Sequence, residues 1–313
     1  MHKVLVSIIR LGIPRHKTFW LGLLVAVLQS LSALALMATS AWLISRAAEQ
    51  PPVMYLMIAV VGVRAFALGR AFFRYVERLL LHDAAFRMLA DLRPRVFAKL
   101  IPFAPAGMGS NRADTVTRLI SDVDETQNLS LRVLAPTIQA LVTSGAAIGF
   151  LWVLVPNAGI ALAVCILAAV FIGLPVSSAL ATRANRATAA DRSALNQGAA
   201  VVLENLELLE SYAWLEHYRG DLEASQQKLA REARRLALSA GLGQSLFLLT
   251  ATLATASTSY FASLEVSSGH LAGVMLAVFA LVPMAVFDTL TTLQPVVGVW
   301  QRYRASSSRA VSY

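Results

Sequence analysis

The sequence predicts an all-α membrane protein with six transmembrane helices and two long helical hairpins projecting from one side of the bilayer. Three observations predict this. Hydrophobic residues fill 57% of the 313 positions and charged residues only 14%, with a mean hydropathy of +0.62; soluble chains carry about 25% charged residues. The runs Phe19–Ile44, Leu134–Val155, Ala158–Thr182 and Leu236–Leu264 contain no charged residue. Each exceeds the ~20 residues that cross ~30 Å of hydrocarbon as a helix. Finally, 25 of the 27 lysines and arginines fall in alternate connections between apolar runs, as they do when basic segments stay on the cytoplasmic side.

Residues 1–18 read as a short amphipathic helix leading into the bilayer. Val4, Leu5, Ile8, Ile9 and Leu11 lie on lipid while Lys3, Arg10, Arg15 and Lys17 face headgroups. Span 1 covers residues 19–44, its second half rich in Ala, Ser and Thr, which permit close helix packing. Pro51-Pro52 breaks the chain before span 2, residues 53–73. Helical pattern then continues to about Leu100, well past one bilayer thickness, until the Pro- and Gly-rich stretch Pro102–Arg112. A second helix returns from about Ala113 to span 3, residues 134–155. Pro156-Asn157 is read as a tight outer turn before span 4, residues 158–182. A second excursion has its tip around Glu207–Gly220 and a charged return helix at Asp221–Arg235, leading to span 5, residues 236–264. A short outer loop, Glu265–His270, precedes span 6, residues 271–300. Residues 301–313 form a basic, serine-rich tail. Positive-inside topology puts both termini in the cytoplasm.

This distribution makes the net charge of +9 a matter of topology, with nucleic acid excluded as a partner. The single cysteine, Cys165, lies inside an apolar run and has no intrachain disulfide partner. The five histidines, at 2, 16, 82, 217 and 270, are scattered, and no nucleophile, base or paired-carboxylate arrangement accompanies them. Phosphate-binding loops of the form G-x-x-x-x-G-K-[ST] or G-x-G-x-x-G after a strand are absent, so no catalytic centre is expected and no ATP binding by that route.

Two features carry the functional reading. Arg64 lies about 16 Å along span 2 from Val53, near the bilayer midplane, where an arginine must face a partner or a wet cavity. Arg64 and Asp288 in span 6 are the candidates for a substrate cavity, with Arg64 meeting an anionic group of a transported molecule; the alternative for Arg64 is a structural pair, for instance with Asp288. Further along comes the dense block Arg74, Tyr75, Glu77, Arg78, His82, Asp83 and Arg87, in which Arg70, Arg74 and Arg78 recur every four residues as a helical stripe. A solvated charged face is the plain reading of that stripe.

Six spans with two cytoplasmic helical hairpins resemble the membrane domain of a type I ABC exporter. The segment Pro105–Leu129, PAGMGSNRADTVTRLISDVDETQNL, resembles that family's first hairpin, with Gly107 at the tip and Arg118, Asp122 and Val123 in an R-x-x-x-D-V pattern. The resemblance implies that this tip and the second, with Tyr212 and Trp214, dock on ATP-binding domains. More specifically, SAWLIS (Ser40–Ser45), GVRA (Gly62–Ala65) and RYVERLLLHDAAFRMLADLR (Arg74–Arg93) resemble the CydC-type subunits of CydDC thiol exporters. That resemblance implies ATP-driven export of cysteine or glutathione in support of cytochrome bd assembly, in a bacterial cytoplasmic membrane. It implies heterodimerisation with a CydD-like half-transporter, ATP bound by a partner or missing domain, and a b-type haem with His82 as candidate ligand. Members continue into an ATP-binding domain where this chain ends. Two other readings stay open: a half-exporter of lipid, peptide or drug, and a haem-sensing membrane scaffold that moves nothing.

Overall fold

A computed structural model describes residues 17–100, 130–173, 175–176, 195–196, 198–294 and 296. All regular structure among them is helical. Helix α1 spans Lys17–Ala48 and α2 spans Met54–Leu100. A single π turn at Ser130–Leu134 leads into α3, Ala135–Leu154, and α4 covers Pro156–Ala168 before a second π turn at Ala169–Gly173. A six-residue helix α5, Leu206–Ser211, precedes the 53-residue α6, Leu215–Ser267. A 3₁₀ turn at Gly273–Met275 then opens α7, Leu276–Thr291. Among the described residues five helical stretches are long and apolar enough to cross a membrane: Lys17–Ala48, Met54–Asp91, Leu131–Leu154, Pro156–Gly173 and Gly273–Thr291. The uncharged run Leu236–Leu264 lies within α6.

The described residues fall into two compact units. The larger holds residues 17–167 and 250–296 of the described chain. In it α1 and α2 run antiparallel: a Cβ on Gly22 would stand 2.8 Å from Leu81 Cδ2, and one on Gly69 would stand 3.7 Å from Ser32 Oγ. The first of these glycines lets α2 lie directly against α1, as small residues do where spans pack without a hydrophobic driving force. At this end of the pair Phe19, Leu23, Leu81, Ala84 and Ala135 form a buried cluster flanked by Leu131, Leu134 and Ile138. Core residues of α7, including Phe279, Val282, Val286 and Phe287, are almost fully buried, and α7 packs on α1 and α3.

Prolines explain the irregular turns. Pro136, in the first turn of α3, has no N–H to offer the carbonyl four residues back, and the chain just before it winds as a π turn. Pro283 interrupts the ladder inside α7 in the same way and orphans the carbonyl of Phe279. Thr258 of α6, fully buried, supplies the missing donor: its Oγ1 lies 2.8 Å from Phe279 O. A membrane interior demands such a repair, since no water is present to make it.

The outer turn between α3 and α4 differs from the sequence expectation. Only Val155 leaves helical geometry, at φ −142° and ψ 100°, and Pro156 is the first residue of α4 rather than a turn residue. A proline suits that position because its N–H has no intrahelical acceptor there and its φ is already helical. The turn is so tight that a Cβ on Gly159 would lie 2.8 Å from the backbone of Trp152. Span 6 expected to Trp300 has its described α-helix ending at Thr291.

The smaller unit, Ala168–Leu249, contains the second excursion. Its tip is a Schellman cap on α5: Trp214 N–H bonds Leu209 O at 2.8 Å and Ala213 N–H bonds Glu210 O at 3.1 Å. Ala213 occupies the left-handed position, φ 57°, where glycine is usual. The return helix begins directly after this cap at Leu215, six residues before the expected Asp221. The outer end of α6, in the larger unit, uses the same motif with its usual residue. Gly269, φ 80°, donates to Val266 O, and His270 N–H donates to Glu265 O.

Candidate functional site

Arg64 and the charged residues of the block Arg74–Arg87 all lie on α2, and the packing of α1 decides which way each one points. Leu81, Ala84, Ala85, Met88 and Leu89 are buried, the first of them directly under Gly22 of α1. Residues about 100° per step around the helix from that face emerge on the open side. Arg64, Arg74, Tyr75, Arg78, His82 and Arg87 are accordingly exposed, while Arg70, Glu77 and Asp83 are half-buried. The antiparallel register places Arg64 level with about Met37 of α1, deep in the apolar run.

Arg64 has no hydrogen bond or ion pair among the described residues. Asp288 is exposed on α7, its backbone carbonyl accepting a bond from Thr291 Oγ1 at 2.7 Å. No ion pair joins these two. The structural pairing considered from sequence is therefore not made, and Arg64 keeps an uncompensated guanidinium on the open face of a membrane helix.

The block from Arg74 to Arg87 divides into two parts. In the first, Glu77 turns toward the bundle. Its Oε1 accepts a hydrogen bond from Gln139 Nε2 of α3 at 3.2 Å, and the same nitrogen lies 3.0 Å from Ala26 O of α1. Arg74 and Arg78, the neighbours of Glu77 along α2, are exposed while Glu77 is half-buried. In the second, Arg87 Nε donates to Asp83 Oδ2 at 2.8 Å, an i,i+4 surface pair. Pairs of this kind contribute about 0.3–0.5 kcal/mol. His82 lies on the open side, its ring stacked on Phe86 with centroids 6.3 Å apart and planes 26° apart.

Of the expected hairpin-tip residues, Gly107, Arg118 and Asp122 lie outside the described residues. Tyr212 and Trp214 flank the left-handed Ala213 on the Schellman turn and are 70% and 61% exposed. With Leu206 and Leu208 they leave an apolar surface open around a helix of six residues.

Sequence reasoning did not single out Gln139, Ala26 or Thr258. Gln139 had a visible signal, since it is a lone amide inside the uncharged run Leu134–Val155, and polar residues there face other helices. Ala26 acts through its backbone and had none.

Comparison with known proteins fits this architecture. The model of the ABC transporter transmembrane region matches residues 17–290. The glutathione/L-cysteine transport system ATP-binding/permease protein CydC of Escherichia coli (strain K12) is 30% identical over 302 residues, covering 92% of this chain and 51% of that protein. CydC of Haemophilus influenzae is 38% identical over 124 residues, 39% of this chain and 22% of the relative. CydD of Bacillus subtilis, of the same named system, is 34% identical over 178 residues, 55% of this chain and 30% of the relative. The chain spans about half the length of the E. coli relative.

Proposed function

This chain belongs to the ABC transporter transmembrane-region family, matched from residue 17 to residue 290, and from that premise we propose that it forms the membrane half of an ATP-driven exporter of small thiols such as cysteine or glutathione. The observation that carries the reading is Arg64: an exposed, unpaired arginine deep in a membrane helix. Facing lipid, it would be expensive at about 2.5–3.5 kcal/mol or more. Facing a wet pathway, it offers a bidentate partner for the carboxylates of an amino acid or small peptide. The likeness to proteins named for glutathione and cysteine transport supports that substrate class.

In this proposal the chain pairs with a CydD-like half-transporter, and ATP is bound by domains outside the described residues. The surface around Tyr212 and Trp214 docks on one of those domains. The protein sits in a bacterial cytoplasmic membrane with both termini inside, and its transport supports cytochrome bd assembly. A half-exporter for lipid, peptide or drug would use the same frame, and the substrate panel below separates the two.

For haem b, His82 is the one candidate axial ligand the block offers. Met88, six residues on, lies about 120° around the helix and is buried at 8% exposure, so it does not fit as a second ligand to the same iron. The proposal is that this chain gives a single ligand and that the second comes from elsewhere.

The test is co-expression with the partner half and its ATP-binding domains, followed by ATP-dependent uptake of cysteine or glutathione into inverted vesicles. Arg64→Ala is expected to abolish thiol-stimulated ATPase activity while the complex still assembles. Unchanged stimulation makes Arg64 structural, and stimulation by lipid or peptide alone overturns the thiol assignment. In the same preparation His82→Ala is expected to remove the haem absorbance bands. Matching spectra exclude His82 as a ligand.

A further inference from the structure

Among the described residues, the side chain of Gln139 makes a polar connection between α2 and α3. Helix α2 packs along α1 and touches the π turn at Ser130–Leu134, but it scarcely meets α3 itself. Where the two approach, Gln139 reaches out with one amide nitrogen to two acceptors on two different helices, Glu77 Oε1 at 3.2 Å and Ala26 O at 3.0 Å. Each amide hydrogen serves one of them. The Ala26 carbonyl already belongs to the helical ladder of α1, so the second bond adds an acceptor use and frees nothing when it breaks. Glu77 is different. It is half-buried, and Arg74 and Arg78 stand beside it on α2. Without Gln139 its carboxylate keeps partial access to solvent, and Arg74, three residues back, is its nearest cationic neighbour on the same helix face. Both bonds can therefore open without leaving an orphaned buried charge, which distinguishes a separable contact from a structural one.

We propose that Gln139 is a positioning residue of the transport cycle: a latch that ties α3 to α2 through Glu77 and to α1 through Ala26 in the state described here, and that releases when α2 and α3 separate. Just below it toward Lys17, the cluster of Phe19, Leu23, Leu81, Ala84 and Ala135 holds the same three segments by apolar packing. To that packing the hydrogen bond adds a directional contact that is either made or broken, so the latch marks a discrete step. The inference rests on the reading of this chain as a transporter half but not on the identity of the substrate.

The experiment uses the full chain assembled with its partner half and ATP-binding domains in nanodiscs, with Cys165→Ser as background. Spin labels are placed at the exposed positions Ala90→Cys on α2 and Leu141→Cys on α3, and electron spin resonance reads the distance between them. Without nucleotide a single narrow distance is expected, and trapping with ATP and vanadate should populate a second. Gln139→Leu removes both bonds and is expected to populate the second distance without nucleotide and to raise basal ATPase several-fold. Gln139→Glu is isosteric and sets two carboxylates face to face; it should do the same at pH 8. Adding Glu77→Gln to Gln139→Glu restores a donor–acceptor pair between α2 and α3 and should restore the narrow distance, a rescue that a merely structural role does not predict. Wild-type distances in both single variants, or a wild-type distance that nucleotide does not move, overturn the latch. If wild-type ATPase shows no stimulation by thiols, the proposed substrate falls while the distance measurement still decides the latch.

Discussion

Thr258→Val removes one hydroxyl and keeps the side-chain shape, and its cost depends on a proline in another helix. Thr258 Oγ1 has one proton and three carbonyls in range: Ala254 O at 2.8 Å, Thr255 O at 3.2 Å and Phe279 O at 2.8 Å. The first two belong to the threonine's own α6 and are reached by backbone donors of that helix. Phe279 O is the acceptor that Pro283 leaves without its helical N–H. The proton therefore belongs to Phe279. Interhelical bonds in membranes contribute about 0.6 kcal/mol on average, up to about 1.7, and a buried orphan carbonyl costs about 1–3 kcal/mol. Thr258→Val is thus expected to destabilise the chain by about 1–2 kcal/mol. In a Pro283→Ala background the new N–H of residue 283 bonds Phe279 O, and the same valine should then cost under about 0.5 kcal/mol. Any cavity left by Pro283→Ala is common to both members of that pair and cancels in the double-mutant cycle. The assay is unfolding of the four proteins in mixed detergent micelles, followed by tryptophan fluorescence. Equal costs in both backgrounds would refute the reasoning and assign the hydroxyl to Ala254 instead.

Gly159→Ala is expected to destabilise the α3–α4 turn by about 1–2 kcal/mol, because its Cβ would meet backbone atoms of Trp152 that have no rotamer to change. Gly145→Ala and Gly149→Ala, with open space at their Cβ positions, should instead stabilise α3 by up to about 1 kcal/mol through helix propensity; thermal midpoints in one detergent compare the three, and a shared sign would be incompatible with the packing described. Ala213→Gly should stabilise the tip of the second excursion by about 0.5–1 kcal/mol, since a left-handed residue with a Cβ is strained there. Slower hydrogen exchange at the Trp214 amide would report it, and faster exchange would contradict it.

Along span 2, sequence and structure divide the information cleanly. That Arg64 lies deep in an apolar helix was legible, because the cost of a charge in hydrocarbon depends only on its place along the run. So was the continuation of the helix to Leu100, which periodicity carries unaided. Periodicity also marked the stripe Arg70, Arg74 and Arg78, but it did not show that Arg70 is half-buried while Arg74 and Arg78 are open. The rotation of α2 about its axis is set by Gly22 meeting Leu81, a contact between residues far apart in the chain. The expected turn at Pro156-Asn157 was displaced for a local reason: proline breaks a helix from within and begins one equally well, and only the extended Val155 decides between the two.

By itself the sequence determined the class of protein, its apolar runs, the placement of its basic segments and the family resemblance at Arg74–Arg93. These follow from transfer energies and local spacing, which each segment carries on its own. Tertiary structure alone decided that Glu77 meets Gln139, that Thr258 mends the ladder broken by Pro283, and that Arg64 and Asp288 do not pair. Those outcomes turn on the relative depth and rotation of neighbouring helices. Side-chain packing across the whole bundle sets both, and no single segment encodes them.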